Sequence, residues 1–134
     1  MADAVTSQTL VDNQTTAIMQ FTNISDGTGE SLVTKVNVAN LAPNALGQAC
    51  TGVSVQKLHT SCHGMEFRLF WDATTDVFFF GSAQNNQYSF DFANFGGMRN
   101  NASTGKTGNI LLSTADQTAG DTYTLILEMT KYYN

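Results

Sequence analysis

The sequence predicts an all-β protein, a single-domain antiparallel β-sandwich of jelly-roll kind with eight or nine strands. Three observations carry that expectation. Apolar residues recur with period two along most of the chain, and no apolar stripe of helical period extends over about 11 residues or more. Clusters of Gly, Asn and Asp interrupt the pattern at intervals of about ten residues, as in sandwiches and barrels. Thr, Asn, Ser and Gln together make up 47 of 134 residues, with 11 Gly and one Pro; Thr suits a pleated strand, and Gly and Asn suit the turns between strands. A chain of this length buries roughly two thirds of its unfolded surface and needs no metal or disulfide to hold its core.

The elements follow in order. "ADAVTSQTLVD" (2–12) is strand-like yet polar, so residues 1–12 are expected to form an arm or edge strand, and residues 13–134 the sandwich. On that arm Val5, Thr9 and Val11 are candidate partner contacts by β-augmentation. "TAIMQFTNI" sets Ala17, Met19 and Phe21 against Ile18, Gln20 and Thr22, and stops at the turn cluster "SDGTGES". "SLVTKVNV" puts Leu32, Val36 and Val38 on one face and Val33, Lys35 and Asn37 on the other; with the preceding strand it reads as a hairpin or near neighbour. "ANLAPNALGQACTG" lacks periodicity and is expected to be a long loop with a short helical turn, after which "VSVQKLH" resumes as a strand.

Met65, Phe67, Leu69 and Trp71 alternate with Glu66, Arg68, Phe70 and Asp72, so the first set is expected to face the core. "DATTD" turns the chain, and Val77, Phe78, Phe79 and Phe80 are apolar on both faces, as in a central strand covered on both sides or one that meets a partner chain. "QYSFDF" sets Tyr88, Phe90 and Phe92 against Ser89 and Asp91. A glycine-rich stretch, "NFGGMRNNASTGKTG", precedes the strand "NILLST", and "DTYTLILEMTKYY" closes the chain with Tyr123, Leu125, Leu127 and Met129 inward.

A net charge of −5, with six scattered Lys and Arg, argues against nucleic acid and anionic membranes as partners. The first ten residues carry neither the basic nor the apolar region of a secretory leader, which makes a cytoplasm the expected site of synthesis.

Residues able to carry chemistry are few. Gly105-Lys106-Thr107 resembles the tail of a phosphate-cradling loop, but Asn100 stands where that loop needs its first glycine, and a strand rather than a helix follows, so a polar turn is expected. Cys50, His59, Cys62 and His63 are metal-competent but lack paired knuckle spacing, and two reduced thiols are expected rather than zinc or a disulfide. Asp72 and Asp76 read as caps of their turn rather than a catalytic pair. Trp71, Tyr88, Tyr132 and Tyr133 offer a sugar-stacking platform, although alternation places Trp71 in the core. Asn13, Asn23 and Asn101 open glycosylation triplets that occur by chance in so Asn- and Thr-rich a chain. No cofactor and no enzymatic activity are expected.

"FTNISDGTGES" (21–31), "DFANFGGMRNNASTGKTGNILLST" (91–114) and "AGDTYTLILEMTKYY" (119–133) resemble small virion structural proteins of tailed bacteriophages, in particular those of marine bacteria and cyanobacteria. The resemblance implies a capsid decoration, or cement, protein: a β-sandwich on the outside of a mature head, often a homotrimer, that reinforces joints between major capsid subunits and has no active site. It implies a virion location at the capsid exterior, after synthesis in the host cytoplasm. Val77 to Phe80 then becomes a candidate contact between subunits, with plain core as the alternative. The loops "SDGTGES" and "RNNASTGKTG" are expected to face solvent and to be adaptable. Two other functions stay open: a tail or fibre component that binds host glycan, favoured by an exposed Trp71 or Tyr88 in a groove, and a free carbohydrate-binding module, favoured by glycan binding by a soluble monomer.

Overall fold

The computed structural model describes residues 3–133; Met1 and Ala2 of the expected arm, and Asn134, lie outside the described residues. The first strands are β1 (Ala4–Asp12), β2 (Thr16–Ile24), β3 (Val33–Val36) and β4 (Gly52–His63). After them come β5 (Glu66–Trp71), β6 (Val77–Ser82), β7 (Gln87–Asp91), β8 (Ile110–Ala115) and β9 (Thr122–Tyr132). They form two sheets, one in the order β1-β2-β9-β4-β7 and one in the order β3-β8-β5-β6, with every neighbouring pair antiparallel. The all-β, two-sheet expectation holds.

The sheets face each other across one apolar cluster. Met65, Phe67, Leu69 and Trp71 are fully buried, as are Leu125 and Leu127, with Tyr123 and Met129 at 1% exposure. The Phe67 and Tyr123 rings, one from each sheet, lie 5.4 Å apart. Period-two burial is visible in the sequence because each of these strands has one dry face, and burying one such side chain is worth about 1.5–3 kcal/mol. β4 shows how register is managed. A bulge between Val55 and Lys57 inserts Gln56, so odd residues (Val53, Val55) point inward before it and even ones (Leu58, Cys62) after it.

Several expectations need correction. β2 and β3 do not form a hairpin: "SDGTGES" crosses from one sheet to the other, and β3 pairs with β8. Leu32 is not on an inward face; it precedes β3 with φ +47° and is exposed. Lys35 does not face outward, because a bulge between Thr34 and Val36 turns its side chain inward onto Glu30 at 2.5 Å, where it is 5% exposed. β6 is an edge strand rather than a central one. Its two apolar faces come from a bulge: Phe80 opposes Leu69 and Phe78 opposes Phe70, which leaves Phe79 as the extra residue. Both Phe79 and Phe80 pack on the core, and only Phe78 points out.

"SDGTGES" is not a free, adaptable loop either. Ser25 is buried, Glu30 is tied to Lys35, and a Cβ on Gly29 (φ +83°) would lie 2.2 Å from the Gln117 amide nitrogen. The long loop after β3 does contain the expected helical turn, a 3-10 turn at Val38–Asn40 whose Ala39 amide donates to the Asn37 side chain at 3.2 Å.

Candidate functional site

The candidate surfaces are the two open edges of the sandwich. At one edge, β1 pairs only with β2, and its residues 4–10 are exposed. Nine residues carry a single charge, at Asp12, and no proline, so the strand's outer row of N–H and C=O groups has little of the usual protection beyond a bulge at Leu10. Val5 and Thr9 share the core-side face with their partners Asn23 and Met19, whereas Val11 pairs with Ile18 on the other face. The three predicted contacts therefore lie on one strand without sharing a face.

Both ends of β1 are clamped. The Lys131 ammonium, with its side chain fully buried, donates to the Asp12 carboxylate, to the Asn13 carbonyl at 2.5 Å and to the Ala42 carbonyl at 3.1 Å. The Ala42 amide donates in turn to both Asp12 oxygens, at 3.1 and 3.0 Å. At the other end Asp3 accepts from the Asn23 side chain (3.0 Å) and from the Asp26 and Gly29 amides (3.0 and 3.3 Å). Burial acts to raise the Asp3 carboxyl, but these hydrogen bonds outweigh it and hold the group down at about 2. Behind it, Glu30 accepts from Tyr123 (2.6 Å) and Asn23 (2.8 Å), and burial together with that carboxylate pushes the Tyr123 phenol well above its ordinary value. Asn23, 1% exposed, belongs to this network and is closed to glycosylation.

At the opposite edge β6 and β7 are joined by aromatic contacts. Phe79 stacks on Trp71 at 4.1 Å, Phe80 lies 6.2 Å from Phe67 and 5.5 Å from Phe90, and Phe90 stacks on Phe92 at 6.0 Å. Phe78 packs edge-on against Phe70 at 5.8 Å on the outer face and is 53% exposed. Phe90 on β7, at 38%, and Phe95 in the 3-10 turn Ala93–Phe95 that follows it, at 65%, are further exposed aromatic side chains. Val77 is half-buried beside Trp71.

No family model, curated protein or solved structure matches the chain.

The other candidates are dispersed. Trp71 is fully buried, Tyr88 borders a hollow of about 440 Å³ beside His59, Tyr132 lines a different cavity, and the Tyr133 hydroxyl donates to the Gln14 and Ala42 carbonyls, so the four aromatics make no platform. Cys50 and Cys62 are free and buried near opposite ends of β4, and no group of three His, Cys, Asp or Glu is placed to hold a metal among the described residues. The Asp76 carboxylate accepts from the Ala73 amide at 3.1 Å and caps the turn as expected, whereas Asp72 accepts from the Thr107 hydroxyl at 2.7 Å and ties that turn to the distant "STGKTG" loop instead of capping it. Gly105-Lys106-Thr107 leads into strand β8.

Sequence reading missed one constellation. His59 on β4 contacts the Ser89 hydroxyl on β7 through Nδ1 (3.0 Å) and Glu128 on β9 through Nε2 (2.9 Å). The order serine, imidazole, carboxylate is that of a nucleophile relay, but all three sit on the open outer face of a sheet, where they act as cross-strand polar pairs. Separations of 30 and 69 residues leave no local signal for it.

Proposed function

We propose that the chain is a non-enzymatic virion structural protein that binds the outer surface of an assembled tailed-phage capsid and stabilises it, as a homotrimer contacting the major capsid protein. One observation carries the reading. Strands β2-β9-β4-β7 face β3-β8-β5-β6 in two antiparallel sheets, with β1 added at one edge, and in this reading the eight facing strands make a jelly roll. Jelly rolls are the recurrent unit of viral coats and of lectins. The two uncovered edges support it further, because a protein whose task is to grip neighbours needs surfaces its own fold leaves open.

Cementing is mass action. A protein that binds only the assembled shell stabilises that state by its binding free energy, repeated at every copy, so an interface of about 1,600 Å² with a few aromatic anchors suffices at each joint. In this reading β1 augments a sheet of the capsid or of a neighbouring subunit, and Phe78 anchors a contact between subunits. Phe79 and Phe80 shape that edge from beneath.

Glycan binding, in a tail fibre or a free module, is the second reading, favoured by the hollow lined by His59, Gln87 and Tyr88 on the five-stranded sheet. Mixing the purified protein with expanded, undecorated heads and sedimenting them separates the two. Saturable co-sedimentation supports the cement reading; no binding to heads, together with retention on a glycan array that Tyr88→Ala abolishes, supports the other.

A further inference from the structure

The cavity beneath the "STGKTG" turn has a use that the virion reading does not require. It is a half-open hollow of about 670 Å³, lined by Arg99, Asn100, Lys106, Gly108, Thr51 and Tyr132, and Arg99 and Lys106 are themselves exposed. In a chain of net charge −5, three of the six basic residues are spent on carboxylates: Lys35 on Glu30, Arg68 on Glu66 and Lys131 on Asp12. Of the other three, Lys57, Arg99 and Lys106, two border this one cavity, and neither forms an ion pair among the described residues. We infer that the cavity is a binding site for a small oxyanion, a phosphate or carboxylate group, held by Arg99 and Lys106.

The frame around the two cations is fixed. Just before Arg99, Met98 exchanges two backbone hydrogen bonds with Val55, at 3.0 and 2.7 Å. The Asn100 side chain accepts from the amide of buried Ala102 at 2.9 Å. Past Lys106, the Thr107 amide and hydroxyl donate to the carbonyl and carboxylate of Asp72, at 3.1 and 2.7 Å. Gly108 (φ +87°) sits so close to the start of β4 that a Cβ there would lie 2.3 Å from the Thr51 carbonyl oxygen. Backbone anchored on both sides of each cation lowers the ordering cost of binding, and a guanidinium beside an ammonium offers a fork and a point charge to the same anion. Asn100 and Tyr132, which also line the hollow, carry neutral donors in their side chains.

The test is a titration of the 15N-labelled full chain followed by amide NMR shifts. Sodium phosphate, and in a parallel arm sodium acetate, replaces chloride at constant ionic strength, and the amide of exposed Lys57, outside the cavity, serves as reference. The expected result is a saturable shift at Arg99, Lys106 and Tyr132 in at least one arm, half-complete near ~1 mM, with Lys57 unmoved. The arm that saturates at lower concentration identifies the anion class. The double variant R99Q/K106Q, whose spectrum also reports that it is folded, raises the half-saturation point at least ~10-fold, while K57Q leaves it unchanged. Linear, unsaturated shifts in both arms, or shifts at Lys57 as large as at Arg99, overturn the proposal.

Discussion

At the scale of single residues, burial decides reactivity. Burial raises the Cys62 thiol above its ordinary value, outweighing the hydroxyls of Ser82 (3.1 Å) and Thr60, and Cys50 is 3% exposed. Neither thiol is then expected to react with an aromatic disulfide reagent at pH 8 until denaturant is added; titration of one thiol per chain in the native state would contradict this burial. Trp71 is fully buried, and its indole N–H has no partner among the described residues. Trp71→Phe therefore removes an unpaired donor along with the ring area it deletes, and is expected to cost under about 1.5 kcal/mol, against about 3–5 for Phe67→Ala, in urea unfolding. These inward residues were legible because plain alternation marks them. The Glu30 cluster was not: its partners Lys35, Asn23 and Tyr123 lie 5 to 93 positions away, and Lys35 reaches it only because a bulge reverses its face.

At the scale of elements, strands with one dry face could be read from the sequence and bulged or edge strands could not. β5 and β9 keep strict alternation and matched expectation residue by residue. β6 misled because the extra residue Phe79 puts two successive phenylalanines on the core side, which in sequence looks like burial on both faces. The clamps on β1 carry a pH dependence. The Asp3 carboxyl is lowered from 3.8 to about 2 by its hydrogen bonds, so its contribution to stability is complete above pH 3.8 and is lost as pH falls toward 2. The protection factor of the Gly29 amide, taken relative to the intrinsic exchange rate at each pH, is expected to fall over that window in the native chain, and Asp3→Asn to remove this pH dependence; an unchanged profile in the variant would show that Asp3 is not the group responsible. Deleting residues 4–11 removes the exposed strand and takes Asp3 out of its clamp, while sparing Asp12 and its buried Lys131 partner. The shortened chain is expected to stay folded and to lose incorporation into heads.

At the scale of the whole molecule, the two-sheet architecture follows from alternation and turn spacing, but its strand order does not, because period-two patterning says which face is dry and nothing about which strand lies beside which. That order and the two open edges support the cement reading. Phe78, 53% exposed on the isolated chain, tests the trimer that the cement reading proposes: in sedimentation velocity the native chain is expected to run as a trimer and Phe78→Asp, still folded, as a monomer, and an oligomer unchanged by the substitution would remove this strand from the contact. The most direct measurement is a cryo-electron microscopy reconstruction of purified virions. Copies of this sandwich arrayed in threes over the outer surface of the head are the predicted result, and a head surface without them, or copies confined to the tail, would contradict it.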